Sequence, residues 1–345
     1  MKKQLGLVLF AFFLVACAPS AASVAAPAKI RIGYQPVMPM MPFFVAQEQG
    51  WWKELGAPVE TIKFTSGPPM IQAFAAGDID AAYIGHTPAA IAVARGVPIK
   101  IVANSTNGAM GIAMSKDLAA LYKSLGPVQA LSAFREQQGR PVKIATLAKG
   151  SAPDAELRFW LGEQLGLNPD TAVEIVPLGE EQLRQAMVAN QVDAATLMEP
   201  FATMVAKQNL PFEVPLWSDA FLPGVPGSAL ALRTDFIQKY PTVAKKMVEI
   251  HLRATKFVEQ KPDDAAKMAS DWLGADVLPE AIARAALASP GGSFVANPRT
   301  GLQMLMTLNA YAAKIGVLPR TVSAEELYDF SLYDAVVKEH PNLGD

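Results

Sequence analysis

The chain has 345 residues, of which 51% are apolar and 18% charged, so a packed core is affordable and the length suits about two domains. Thirty Lys and Arg stand against 32 Asp and Glu, a formal charge of −2, without the basic excess that nucleic-acid binding draws on. The single Cys excludes a disulfide framework and a Cys-rich metal site, and His at 86, 251 and 340 are too far apart for a local metal-binding motif, so no metal and no cofactor is expected.

Met1-Lys2-Lys3 is a short basic start, and Leu5 to Val15 is an apolar run of 11 residues. A bilayer span needs about 20, whereas this run has signal-peptide proportions. It ends in Leu14-Val15-Ala16-Cys17, which resembles the bacterial lipobox, where cleavage precedes a Cys that then carries a lipid. Residues 1–16 therefore read as a lipoprotein signal peptide and Cys17 as the lipidation site; the alternative is an ordinary cleavage site that happens to hold the chain's one Cys. Ala18 to Lys29 is small and polar with two Pro, so 17–29 reads as a lipidated flexible tether. The expected location is the periplasm or cell envelope, anchored to a membrane by lipid. That favours capture, sensing or assembly over cofactor-dependent metabolism.

From Ile30 the pattern alternates. Strands are predicted over Ile30–Tyr34, Val59–Phe64, Ala81–Ile84 and Ile99–Ala103, with helices over Phe43–Leu55, Pro68–Ala76 and Pro88–Arg95. A second set follows a Pro- and Gly-rich stretch: strands Val142–Thr146, Val173–Val176 and Ala194–Leu197, helices Asp154–Leu165 and Glu181–Ala189, a helix from Phe201 and a strand over Phe212–Trp217. Beyond Leu230 the chain reads as mostly helical, with amphipathic stretches Val243–Val258 and Leu302–Ile315. Alternation of this kind predicts parallel βαβ units covered by helices.

The two sets echo each other. FTSGPPMIQAFAAGDIDAAYIGHTPA (64–89) matches VPLGEEQLRQAMVANQVDAATLMEPFA (176–202): Gly67 with Gly179, Asp80-Ala81-Ala82 with Asp193-Ala194-Ala195, Pro88 with Pro200. Two α/β lobes of like build are the simplest explanation. In open parallel sheets ligands bind beyond the carboxyl ends of the strands, where the next helices present unpaired N–H groups and positive dipole ends. Facing lobes would enclose one cleft there. Asp80 and Asp193, at the strand starts, are read as structural rather than as a catalytic pair.

Four stretches then carry a family resemblance: IGYQPVMPMMPFFVAQEQGWW (32–52), SGPPMIQAFAAGDIDAAYIGHTPA (66–89), ARGVPIKIVA (94–103) and VDAATLMEPFA (192–202). Together they resemble the nitrate/sulfonate/taurine family of ABC-transporter solute-binding proteins, which also includes thiamine-precursor binders. The resemblance implies an α/β type II periplasmic binding protein fold: lobe 1 from 30–110 and 225–345 with the C-terminal helices, lobe 2 from 111–224, and two crossover segments near 105–115 and 221–230. It implies a monomer working with a membrane permease and its ATPase, and no catalysis.

Each candidate ligand-binding residue has a structural alternative. Ser66, Gly67 and Thr87 suit an anion at a helix N-terminus, or simply cap the helix. His86 could donate to an anion, or be a buried structural His. Gln35 could orient a head group. Gly150 and Ser151 resemble the family's lobe 2 ligand loop. Glu199 would repel an anion and suit an amine or ring N–H, or else serve the following helix. Met38, Met40, Met41 and Phe43 either meet an organic tail or pack the core. The expected ligand is a small organic anion such as a sulfonate, with a thiamine-type pyrimidine or other nitrogen-containing solute second. A sensory lipoprotein is a competing class, and an enzyme the weakest one, since no nucleotide loop, nucleophile elbow or Cys-rich motif occurs.

Overall fold

The computed structural model describes residues 27–108, 110–207 and 210–344. The expected signal peptide, Cys17 and most of the tether lie outside the described residues. Eleven strands are described: β1 Ile30–Tyr34, β2 Val59–Lys63, β3 Ala81–Gly85, β4 Ile99–Asn107, β5 Met110–Ser115, β6 Lys143–Thr146, β7 Glu174–Pro177, β8 Ala194–Met198, β9 Phe212–Trp217, β10 Pro226–Arg233 and β11 Ser293–Phe294.

They form two sheets, in the orders β11-β4-β10-β3-β1-β2 and β7-β6-β8-β5-β9. In the first, β1 pairs in parallel with β2 and β3, while β10 runs antiparallel to β3 and β4. In the second, β6 pairs in parallel with β7 and β8, while β5 runs antiparallel to β8 and β9. Leaving out the short β11, the sheets have one topology, with β1, β2, β3, β4 and β10 matching β6, β7, β8, β9 and β5. The antiparallel member of each sheet is the strand that has just crossed from the other: β4 leads through Gly108 into β5, and β9 leads through Leu222–Val225 into β10.

The echo in the sequence has a shared hydrogen-bond pattern behind it. The Asp80 carboxylate accepts from the Arg31 backbone N–H at 2.8 Å, and the Asp80 N–H donates to the Arg31 carbonyl at 2.9 Å. Asp193 and Lys143 repeat both bonds at 2.8 and 2.9 Å. An Arg neutralises each carboxylate, Arg31 at 2.9 Å in lobe 1 and Arg140 at 2.6 Å in lobe 2. Each Asp thus pins the start of a central strand against its neighbour, at the end away from the strand tips.

Two expected helices are interrupted. Phe43–Leu55 is a helix over Met41–Glu48 followed by a 3-10 turn over Trp51–Leu55, because Gly50 takes φ 66 and ends the first. Asp154–Leu165 is an α-helix over Ala152–Phe159 that widens into a π turn over Trp160–Gln164. There the Tyr311 hydroxyl approaches Gly162 so closely that a side-chain carbon would overlap it. The strands β5 and β10 were not anticipated, since their Ala, Ser and Gly content carries little β signal. They are buried on both faces, which removes the alternation that marks a half-exposed strand.

Each lobe has its own core. The helix His86–Ala94 is buried at every position from His86 to Val93, so its sequence is apolar all round. The helix Pro241–Gln260 buries one stripe, including Met247, Ile250 and Leu252. The helix Leu302–Lys314 serves both lobes: Leu305 packs with lobe 1 residues, whereas Leu308 and Tyr311 pack with the core around Phe159 and Trp160. Among the described residues no helix is long and apolar enough to cross a membrane.

Candidate functional site

The tips of both sheets face one another, and between them lies a cavity of about 30 Å³. Its walls come from both lobes in matched places. The residue after β1 is Gln35 and the residue after β6 is Leu147. The last residues of β3 and β8 are Gly85 and Met198. The crossover strands contribute Ser228 from β10 and Met110 from β5. All six line the cavity. Lobe 1 therefore supplies an amide, a hydroxyl and a bare backbone where lobe 2 supplies apolar side chains.

Three helices start at this wall. Gly67 opens Gly67–Ala76, Gly85 caps His86–Ala94, and Ser151 caps Ala152–Phe159. Their unpaired N–H groups and positive dipole ends favour negative charge there. Pro68, Pro88 and Pro153 stand within the first turns, so few backbone donors remain and their placement is restricted. The lobes touch around the cavity: the Met38 N–H donates to the Glu199 carbonyl at 3.0 Å. A methyl group on Gly85 would lie 3.3 Å from Ala152, and one on Gly150 would lie 3.0 Å from Ile91.

The geometry sorts the residues singled out from the sequence. Gln35, Gly67 and Ser151 are on the wall. Gln35 is buried and its amide Nε2 reaches the Thr65 carbonyl at 3.4 Å. Ser66, Thr87 and Gly150 adjoin wall residues in the chain without lining the cavity. Ser66 caps its helix without a side-chain hydrogen bond, and the buried Thr87 hydroxyl has no partner. Gly150 takes φ 86, a conformation that favours glycine, and its N–H donates to Asp154 at 3.0 Å. Asp154 is in turn held by Arg158 at 2.9 Å, a buried pair that fixes the loop before Ser151. Of the methionine-rich loop, Met40 reaches the wall, while Met38, Met41 and Phe43 pack in the core.

His86 and Glu199 occupy matched positions after β3 and β8, yet both turn away from the cavity. Asn104 donates through Nδ2 to the carbonyls of Asn297 and Thr300, which leaves its Oδ1 to accept from His86 Nε2 at 3.0 Å. Among the described residues His86 Nδ1 is buried without a hydrogen-bond partner. Burial pushes the imidazole down to about 4, so His86 is neutral and offers an anion no charge. The carbonyl of the same Asn104 accepts from His251 Nε2 at 2.6 Å, and His251 Nδ1 accepts from the Tyr83 hydroxyl at 3.1 Å. The Glu199 carboxylate accepts from the Thr203 N–H at 3.1 Å and hydroxyl at 2.8 Å, and so serves the start of the helix Phe201–Lys207. Burial raises its pKa.

Of the wall residues with polar side chains, sequence reading missed Ser228 and Glu156. Ser228 shares with Ser105 the carbonyl of Pro39, each at 2.7 Å, and so holds the loop after β1 in place. Glu156 is the one ionisable side chain on the wall among the described residues. It lies one turn beyond Ser151, and its spacing of three from Pro153 puts both on the cavity face of their helix. Only 3% of its surface is exposed. Burial drives its carboxyl up to about 8, against a smaller downward pull from the Ser218 hydroxyl.

Comparison with known proteins agrees with this architecture. The alkanesulfonate-binding protein SsuA from Xanthomonas axonopodis pv. citri, solved bound to MOPS, superposes with a TM-score of 0.71 at 20% identity, covering 88% of this chain and 99% of that one. A Bacillus subtilis protein named for binding aliphatic sulfonates is 27% identical over 282 residues, 79% of this chain and 78% of its own length. The bicarbonate-binding protein CmpA of Synechococcus elongatus is 25% identical over 249 residues, 68% of this chain; the chain spans only 55% of that relative's length. These relatives are binding proteins rather than enzymes. Residues 23–273 match the NMT1-like family, and the chain belongs to that family.

Proposed function

We propose that the protein is an extracytoplasmic solute-binding protein of an ABC importer, and that it captures a small oxyanion of the sulfonate, nitrate or bicarbonate kind between its lobes. The observation that carries this reading is the cavity itself: it lies at the facing strand tips, is walled from both lobes, and receives three helix N-termini. Gln35, Gly67 and Ser151 are the proposed polar contacts, while Ser228, whose one hydroxyl proton goes to the Pro39 carbonyl, holds the loop beside them; Ser66, Thr87 and Gly150 shape the backbone next to the wall. Leu147, Met110 and Met198 suit a short organic substituent on the anion. The names of the relatives point to the same ligand chemistry.

Capture proceeds by hinge closure, with 30–110 and 225–345 as one body and 111–224 as the other. The two connections lie side by side, since the Gly108 N–H donates to the Val225 carbonyl at 2.6 Å. Closure follows only if the ligand binds the closed form better than the open one. The proposed partners are a membrane permease and its ATPase, approached by a monomer anchored through lipid on Cys17. Mass spectrometry of the mature N-terminal peptide tests the anchor, since an unmodified Cys17 rejects it. Thermal shift of the full chain in mild detergent, with nitrate, ethanesulfonate and bicarbonate, tests the ligand class. A bound ligand raises the melting temperature by mass action, and no response to any of the three rejects an oxyanion receptor.

A second reading, a solute with an N–H or ammonium group such as a thiamine-precursor pyrimidine, is favoured by one observation, the Glu156 carboxyl on the wall.

A further inference from the structure

We propose that Glu156 is a specificity-determining ligand contact, which in its acid form donates a hydrogen bond to an oxygen of the captured oxyanion and expels that anion when it ionises. This rests on the solute-binding reading above and assigns it a pH dependence.

Three observations support the assignment. First, the wall carries no Lys, Arg or His among the described residues, so an anion there is held by hydrogen bonds and helix ends alone. Second, one carboxyl oxygen of Glu156, Oε2, is buried without a hydrogen-bond partner among the described residues, although the side chain borders the cavity. A buried polar atom left unsatisfied is destabilising, and a ligand oxygen at this wall would relieve that cost. Third, a carboxylate and an anion inside so small a space repel each other strongly, so the two coexist only while the acid keeps its proton. The raised pKa agrees with this requirement.

Among the described residues no other charged group acts on the carboxyl, and His86, on the helix His86–Ala94 packed against the Glu156 helix, is neutral. On its own helix, Asp154 and Arg158 are paired with each other, and Arg158 also holds Asp170 at 2.8 Å. From the turn after β9 it meets the Ser218 hydroxyl. From the helix Leu302–Lys314, the Tyr311 hydroxyl is committed to the Arg158 carbonyl at 2.9 Å. Across the cavity stand Gln35 and Ser228, neither of which titrates. The acid form is therefore set by burial, and its loss on raising the pH has one origin.

An amine-bearing solute would reverse the sign. It would draw the proton off Glu156, and its affinity would climb with pH until the acid is ionised. The direction of the pH dependence therefore separates the two chemistries.

The experiment is isothermal titration calorimetry of the full chain in mild detergent from about pH 6 to about pH 9.5, with ethanesulfonate, nitrate and methylammonium as probes. The expected result is that an anion binds with constant affinity below about pH 8 and loses about tenfold per unit above it, with uptake of about one proton on binding there. Glu156→Gln, which keeps a donor, should retain binding and lose the alkaline fall. Glu156→Leu, which keeps the fold's apolar contacts without a donor, should weaken the anion at least about tenfold at neutral pH. Anion binding that is flat with pH, or unaltered in both variants, overturns the role of Glu156 and leaves the receptor reading intact. Methylammonium binding that strengthens with pH and vanishes in Glu156→Gln also overturns it. No binding of any probe overturns both.

Discussion

The two lobes share a scaffold and line the cavity between them with different side chains. Gln35, Gly85 and Ser228 in lobe 1 stand where Leu147, Met198 and Met110 stand in lobe 2. The repeated hydrogen bonds of Asp80 and Asp193 fix both sheets in the same register, while the strand-tip positions have diverged into a polar and an apolar wall. His86 and Glu199 show the same division. His86 is held within its own lobe by Asn104, whereas Glu199 is held by Thr203 in its own lobe and by Ser289 from the other. Repetition in this molecule marks what holds the fold, and departures from it mark where the two walls of the cavity differ.

The lobes also bury groups of opposite acid–base character, which predicts opposite pH lability. Glu156 in lobe 2 has a folded pKa raised from 4.5 to about 8. The stability tied to it is full below pH 4.5 and is lost as pH rises toward about 8, a loss on the order of 5 kcal/mol. Glu156→Gln should remove that loss, so its melting temperature should exceed the parent's at alkaline pH and converge with it in acid. In lobe 1, His86 and His251 are depressed from 6.5 to about 4. Stability tied to them is present above pH 6.5 and is lost as pH falls toward about 4, on the order of 3 kcal/mol for each. Hydrogen exchange should show lobe 1 opening first in acid and lobe 2 first in alkali. The reverse order would dissolve the comparison.

Two smaller tests probe the shared scaffold. Asp80→Ala and Asp193→Ala should each cost about 2–3 kcal/mol in denaturant unfolding, since each leaves a strand N–H and a guanidinium without their carboxylate. Unequal losses would show that the repeat is not equivalent in energy. Gly67→Ala should cost about 1–3 kcal/mol, because the new methyl overlaps the Pro88 ring. The matched Gly179→Ala meets only the Gln182 side-chain end at 3.2 Å, which can move aside, so it should stay within about 0.5 kcal/mol. Equal costs would mean that the cavity edge is no tighter than its counterpart.

Much of the fold was legible because it rests on local pattern. The parallel strands and their helices follow from β-rich runs, turn glycines and the Asp-Ala-Ala repeat. The strands β5 and β10 were not legible, because a strand buried on both faces by a partner far along the chain carries no alternation of its own. The same limit applied at the site. Gln35, Gly67 and Ser151 could be chosen because strand ends and helix starts announce themselves. Ser228 and Glu156 could not, since one comes in on a crossover strand and the other sits a turn inside a helix.

The order of the residues by itself determined two like halves, the register clamps at Asp80 and Asp193, and the edge of each sheet where helices begin. Only the tertiary structure decided which side chains at that edge look inward. His86 and Glu199 are held out of the cavity by Asn104 on the one and by Thr203 and Ser289 on the other, and Glu156 is the one ionisable wall residue among the described residues because the lobes meet around it. Burial and partner choice depend on neighbours distant in sequence, and so they arise when the two sheets close on each other.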